Sequence, residues 1–455
     1  MPEMRVSLRK SRFREIYLGL ALSCGALPGW AQTRAEAVLT LDQAVALGLE
    51  DNRLVKNAGL EEARQQDVVA ETKTQRYPAF SVNVLEGHLL QDVSLVFPPG
   101  FLGDLPIVGP IPRQSKSLTT PAQWTTFAFG GVDQPITQLY RINLGVKAQQ
   151  LGKDIAHQQL RLQRQTTADD VKRSYYGLIQ TQNALAAIAD EIKFYRELDR
   201  VTDEYLKEQA VLEADSLDVK AKLAQAEYQA TVLEDTLATQ KESMNNLLAR
   251  DPRTLFEVAG VPEIETYTLD ADQARQRALE QRPEIRQARL KVEQAEYDRR
   301  ITKSQYIPDL SATLRVISPY DVQLSPKNIG TAGFFFSWEP FDWGRKRHEL
   351  GEKTKTLEEA KNGVEETTSQ VLIDVDNRFR KLQEAQAYLK VSRLNVDVAK
   401  ERLRVTNNKY GQNAALLSDV LKQEAQLADA HQQLEQAFSQ YWTARADLEK
   451  AMGEE

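Results

Sequence analysis

The chain has 455 residues, 27 % of them charged and 7 % aromatic, with a formal net charge of −7. That length allows two or three ordinary domains. The negative balance, with no basic patch interleaved with aromatics, argues against nucleic acid as a partner, and no run of about 18 apolar residues follows the N-terminus, so a helical membrane span is excluded.

Residues 1–31 read as a secretory signal peptide. Arg5, Arg9, Lys10, Arg12 and Arg14 form a basic leader, Ile16 to Leu27 a short apolar stretch, and Gly29-Trp30-Ala31 a small-x-small cleavage site. Cys24 is the only cysteine and lies inside this segment. A lipoprotein signal is the alternative for it, although Ala21-Leu22-Ser23 matches the leucine-led lipobox poorly. Cleavage after Ala31 leaves a mature chain with a net charge near −10 and no cysteine, so disulfides and thiol chemistry are not expected.

A helical segment is expected from about Leu41. Tyr77-Pro78-Ala79-Phe80-Ser81 then opens a strand in which Phe80, Val82 and Val84 alternate with Ser81 and Asn83. Its return strand carries Phe127 and Phe129 and leaves through Gln134-Pro135-Ile136. The loop between them, about 93–123, is rich in Pro and Gly and apolar (Phe97-Pro98-Pro99-Gly100-Phe101-Leu102). It reads as a lid or an interfacial rim rather than a flexible tether.

Residues 136–251 contain no proline, the residue that breaks helix interiors. Leu144, Ala148, Leu151, Ile155 and Leu162, then Leu185, Ile188, Ile192, Tyr195 and Leu198, recur at heptad-like spacing. From Leu139 to Gln209 the pattern predicts one helix of about 70 residues, roughly 105 Å long. After a short break an Ala/Leu-rich helix opens at Asp215. The connector Asp251–Tyr267 holds Pro252 and Pro262 and has little periodicity.

The series then returns. A helix is expected from about Leu269. Ile307-Pro308-Asp309-Leu310-Ser311 opens a strand with Leu310, Ala312 and Leu314 alternating with Ser311, Thr313 and Arg315. Ala332, Phe334, Phe336 and Trp338 lead to Glu339-Pro340-Phe341, and residues 341–455 again lack proline beyond this exit. Ala210, Leu212, Asp215, Leu217, Ala221, Leu223, Ala224 and Ala226 recur 204 residues later as Ala414, Leu416, Asp419, Leu421, Ala425, Leu427, Ala428 and Ala430. The strand starts are shifted by 230 and the strand exits by 205. On the latter shift Phe127 and Phe129 correspond to Ala332 and Phe334 and belong to the same apolar face. The chain is a tandem duplication. Its repeats are 32–267, with a hairpin at about 79–135, and 268–455, with a hairpin at about 309–340. Each runs helix, β-hairpin, long helix, short break, helix, so the fold class is mixed α+β. Alternation over about ten residues suits a transmembrane barrel strand or a soluble hairpin with one buried face; a secreted chain with two such hairpins between long helices favours the barrel.

No catalytic constellation is visible. His88, His157, His348 and His431 are scattered without ligand spacing, and neither a Gly-rich phosphate loop nor a nucleophile elbow occurs. No enzyme activity, metal or cofactor is expected. The paired acids along the helices read as solvated faces. Asp215 and Asp419 each follow a break and open a helix, the setting of an N-terminal cap.

The duplication, the Tyr-Pro and Ile-Pro strand starts, the Gln-Pro-Ile and Glu-Pro-Phe exits, and Tyr410-Gly411 followed by Asp419-Val420-Leu421 together resemble the TolC-like outer-membrane efflux proteins over essentially the whole mature chain. The resemblance implies a homotrimeric outer-membrane channel. Each protomer would give four strands to one 12-stranded barrel, continued by an α-helical tunnel across the periplasm of a Gram-negative-type cell. Elementary physics agrees, because four strands cannot close a barrel and lipid forbids an open sheet edge. The implied partners are a periplasmic adaptor, an inner-membrane transporter and outer-membrane lipid. By resemblance Asp419 joins an acidic ring at the periplasmic gate, and Tyr410 bonds toward Asp215 of the first copy. Where the family often has a second acid, the chain has Lys422; the first copy keeps Asp218 there. The arginine sometimes found five residues after the tyrosine is Ala415. The alternative is a periplasmic coiled-coil adaptor or scaffold, but an adaptor needs one helical hairpin inside a lipoyl-like context, not two duplicated β-hairpins.

Overall fold

The structure is a computed structural model describing residues 37–208, 211–260, 270–322, 326–412 and 414–454. The expected signal peptide, with Cys24, lies outside these residues, as do Ala210, Pro262, Tyr267 and Leu269. In chain order the elements of the first repeat are β1 (Ala37–Leu39), α1 (Leu41–Asp51), α2 (Arg53–Thr74), β2 (Ala79–His88), β3 (Val93–Phe97), β4 (Asp104–Leu105), β5 (Gly109–Pro110), β6 (Lys116–Thr120), β7 (Trp124–Pro135), α3 (Gln138–Lys207), α4 (Glu213–Leu247) and β8 (Phe256–Val258). The second repeat holds α5 (Ala271–Gln281), α6 (Pro283–Ser304), β9 (Asp309–Tyr320), β10 (Ile329–Ser337), α7 (Arg345–Gly411) and α8 (Leu417–Ala451).

The single helix expected before each hairpin is in fact two. Asn52 leaves helical space at φ −55°, ψ 131°. Its Oδ1 accepts from the N–H of Leu54 at 2.8 Å and of Val55 at 3.3 Å, while its Nδ2 donates to the carbonyl of Leu247 at 2.8 Å. It therefore ends α1, caps α2 and pins both to α4. In the second repeat the hinge is Arg282, and Pro283 starts α6 at the first helical position, where its missing N–H costs nothing.

The long helices are continuous. α3 has 70 residues and α7 has 67, each roughly 100 Å long. α4 and α8 have 35 residues each and fold back along them. Leu144, Ala148, Leu151, Val171, Tyr175, Leu178, Ile188 and Tyr195 form the buried stripe of α3. Two main cores result. One gathers Ala274, Ile285, Val375, Leu382, Tyr441, Leu448 and Met452 of the second repeat. The other gathers Leu39, Ala44, Val171, Tyr175, Met244, Leu248 and Phe256 of the first. Trp442 packs against both and stacks on Tyr176 at 5.6 Å between centroids. Each large side chain buried there contributes about 1.5–3 kcal/mol. Charges knit the same level. Asp169, 3 % exposed, pairs with Arg173 and Lys450 at 3.2 Å. Asp447 pairs with Arg173 and Arg378, and Asp374 links Arg378 to Arg282. Burial pushes the Asp447 carboxyl up, against the pull of the two arginines.

The four long strands form one antiparallel sheet in the order β10-β9-β7-β2. The register puts Phe80, Val132, Leu314 and Ala332 in one row across it, and Val82, Gly130, Val316 and Gly330 in the next. The even-numbered residues thus share a face, with Val84, Ala312, Phe334 and Phe336. The opposite face carries Ser81, Asn83, Ser311, Thr313 and an Asp133–Arg315 ion pair at 2.9 Å. Gly131 lies beneath that pair, where a Cβ would displace the Arg315 guanidinium and approach Ser81 Oγ at 2.9 Å.

Phe127 and Phe129 are a correction. They lie on the odd-numbered face, their rings 6.3 Å apart, not beside Phe334. Asp133 pairs with Ala79 while Ser337 pairs with Asp309. The return strands are therefore related by 204 residues, and one extra residue separates β10 from Pro340. An odd shift of 205 swaps the faces, because side chains alternate.

The apolar loop of the first hairpin folds as a β-arm. β3 pairs with β6 and β4 with β5. The Arg113 guanidinium donates to the carbonyl of Val108 at 2.8 Å, and Phe97 meets Phe101 edge to face.

Candidate functional site

At the end of the helices far from the sheet, each repeat turns once. The turns join α3 to α4 and α7 to α8, and their described residues on the far side, Leu212 and Leu416 onward, are built alike. Leu212 and Leu416 are extended, at φ −81°, ψ 150° and φ −86°, ψ 156°. Asp215 and Asp419 occupy the third helical position. Each carboxylate accepts from the N–H of its leucine, at 3.3 Å and 3.1 Å. A carboxylate in the first turn also faces the positive end of the helix dipole. Both aspartates are thus closing residues of a cap, one turn inside the N-cap position.

Around this shared frame the tips differ. In the first, the Asp203 carboxylate accepts from Lys220 Nζ at 3.0 Å and Ser216 Oγ at 3.2 Å, tying α3 to α4. The Lys220 hydrogen bond holds that carboxyl below the usual range. Arg200 bridges Glu197 at 2.6 Å and Glu204 at 2.8 Å. The matching positions of the second tip hold Asn407, Val420 and Glu424, so the brace is lost. At the 204-residue shift Asp203, Ser216 and Lys220 correspond to Asn407, Val420 and Glu424, and residues that differ between the copies carry no shared motif by which sequence alone would select them.

Tyr410, near the end of α7, is half-buried. Burial pushes its hydroxyl up, and Tyr205 and Asp215 add to the shift, so the three groups are neighbours. Among the described residues no hydrogen bond joins the Tyr410 hydroxyl to Asp215. Asp218 is exposed on α4. Asp419 and Lys422 are exposed one turn apart on α8, and Lys422 lines a shallow groove with Glu401, Arg402 and Gln426. The structure brings Tyr410 to Asp215 but leaves Asp419 and Lys422 on open surface. Among the described residues, no group of three His, Cys, Asp or Glu side chains could hold a metal ion, and no helix is long and apolar enough to cross a membrane.

The sheet carries a second surface. Phe80, Val82 and Phe334 on its even-numbered face are 78 %, 81 % and 74 % exposed. Aromatic residues bound this face at both ends. Trp124 and His88, 5.4 Å apart, stand with Tyr320 at one end; Tyr77, Phe336, Trp338, Phe341 and Trp343 are exposed toward the helices.

Residues 274–454 match a family model described as outer membrane efflux protein. No curated protein matches the chain. Among solved structures the fold is similar to the CmeC outer membrane channel of Campylobacter jejuni, with a TM-score of 0.75 and 15 % identity over 97 % of this chain and 94 % of that one. It is also similar to the outer membrane protein VceC of Vibrio cholerae, with a TM-score of 0.72 and 16 % identity over 91 % and 96 %. The open state of the Neisseria gonorrhoeae MtrE outer membrane channel gives a TM-score of 0.72 and 16 % identity over 91 % and 89 %. The second repeat thus matches the outer membrane efflux protein family in sequence, and both repeats together have the fold of these solved outer-membrane channels.

Proposed function

We propose that the chain is the outer-membrane exit duct of a tripartite efflux or type I secretion system. It passes small molecules or proteins from periplasm to exterior and catalyses no reaction. The observation that carries this reading is the sheet: an exposed apolar face between two aromatic rims, with both edge strands, β2 and β10, unpaired. Strands of ten and nine residues, tilted by about 45°, span roughly the 25 Å apolar band of an outer membrane. An open edge cannot persist in lipid. Pairing β2 of one protomer with β10 of the next removes both edges, and three protomers close a 12-stranded barrel. The helices then form the periplasmic tunnel, and their tips, with Asp419, Asp215, Asp218, Tyr410 and Lys422, form the gate that meets a periplasmic adaptor and, through it, an inner-membrane transporter.

Fractionation tests the reading. Heat-modifiable trimers in outer-membrane extracts are expected, with ion conductance on reconstitution. A monomer recovered from the soluble periplasm would instead favour the coiled-coil scaffold.

A further inference from the structure

The second tip has lost its brace, and Glu424 stands where the first tip has Lys220. Asn407, in the place of Asp203, offers it no charge. Glu424 instead lies within electrostatic reach of Glu191 of α3, in the seam where Leu421 of α8 packs against α3 and α4. The walls of this seam are apolar: Ile188 and Ile192 of α3, Leu223 and Ala226 of α4, and Leu421 of α8. Tyr195, one turn beyond Glu191 and 1 % exposed, lies close to both acids. Glu424 Oε2 is buried without a hydrogen-bond partner among the described residues. Lys222 of α4 and Asp429 of α8 also act on Glu191, with opposite signs. No charge of α7 is among those shifting either carboxylate.

We propose that Glu191 and Glu424 form a proton-dependent latch between α3 and α8, closed when one of the two carboxyls holds a proton and loosened when both are ionised. Two carboxylates in an apolar seam cannot both ionise without repulsion and loss of solvation. One protonated acid, by contrast, removes that repulsion and leaves a neutral group at the buried Glu424 Oε2 position. The sign follows from proton linkage. Burial raises both carboxyls in the packed state; in the released state, in water, they return to the ordinary range. The packed state therefore holds the extra proton. Its advantage is present at acid pH and declines as pH rises above the ordinary carboxylate range, because the released proton goes to solvent. The α7–α8 tip is the part set free, since the first tip keeps its Asp203–Lys220 brace.

The test reads the distance between the tips of one protomer. Spin labels at Ala214 and Ser418, both exposed, are placed in full-length protein carrying Cys24→Ser, with labelled protomers diluted by unlabelled ones. Between pH 5 and pH 8 the wild-type distribution is expected to move toward longer distances. The packed-to-released ratio should change by up to about tenfold per pH unit for one linked proton. Glu424→Gln, which keeps a donor and cannot ionise, should stay packed at every pH. Glu424→Lys, which gives Glu191 a cation, should do the same. Glu191→Gln serves if either fails to assemble. A wild-type distribution that does not move, or a Glu424→Gln protein that responds like wild type, overturns the latch. Neither outcome depends on whether the assembly conducts.

Discussion

The two repeats share their order of elements and their tip geometry, yet they are held by different chemistry. Residues 197–222 contain eight acids and four bases, whereas the matching residues 401–426 contain three acids and four bases. The first tip is acidic and cross-braced by Asp203, Ser216 and Lys220. The second is slightly basic and has no equivalent brace. What both keep is what the backbone turn requires: a leucine at the N-cap and an aspartate three residues on. Duplication has preserved the local geometry of the turns and released the pairwise contacts around them.

The sheet offers the largest test of this view, because there the copies agree. Val84 and Phe334 belong to the same apolar face although they come from different hairpins. Lysine at either position should cost roughly 2–4 kcal/mol if the site lies near mid-bilayer. Lysine at Ser81 or Ser311, on the opposite face, should be tolerated. Urea unfolding from lipid vesicles measures both sets, and equal costs would remove the membrane assignment.

A smaller effect separates the two hinges. Asn52→Ala removes a cap and a buried bond to Leu247, and should cost about 1–2 kcal/mol. Pro283→Ala keeps the hydrogen bonds and ion pairs of its hinge, loses only contacts of the ring, and should cost about 1 kcal/mol or less. Thermal melts of the two variants compare them directly. A reversed order would show that the Arg282 ion pairs with Glu284 and Asp374 depend on the proline.

Much of this architecture was legible in the sequence, for identifiable reasons. Proline-free stretches with a heptad stripe specify long helices regardless of partners, and α3 runs from Gln138 to Lys207 where Leu139 to Gln209 was expected. Strand starts at Tyr-Pro and Ile-Pro are local as well. The errors came from long-range relations. Phe127 and Phe129 lie on the face opposite to the expected one because a single residue before Pro340 changes the shift from 204 to 205. The Asn52 hinge was missed because its partner, the Leu247 carbonyl, lies 195 positions away. The candidate site was read from what the copies share, which selects cap residues. Its bracing and latch residues lie in what they do not share.

The aspartates at the tips test whether shared geometry implies shared function. Asp215→Ala and Asp419→Ala should each cost about 0.3–1 kcal/mol, since each loses one bond to a leucine N–H and one favourable charge near the helix dipole. If Asp419 also lines a threefold entrance, only Asp419→Ala will weaken cation selectivity and block by multivalent cations in planar bilayers, with trimer yield unchanged. Lys422, one turn on, should keep the starting selectivity modest. Two variants that melt alike and select alike would assign both residues to capping alone.

The smallest expected effect is at Tyr410, and it divides the family expectation from the geometry. A hydroxyl tied to Asp215 would hold the second tip against the first, and its loss would open the gate. Here the ring is half-buried beside Tyr205 and Asp215, but no hydrogen bond links hydroxyl and carboxylate. Removing an unbonded, partly solvated hydroxyl should change stability by no more than about 0.5 kcal/mol. Tyr410→Phe should therefore conduct as wild type does, because the ring and its packing remain. Tyr410→Ala, which removes the ring, should raise the open fraction. Recordings on the pair separate packing from hydrogen bonding. If Tyr410→Phe alone opens the pore, the missing bond forms in the assembled trimer, and the two tips are coupled through it rather than through the Glu191–Glu424 seam.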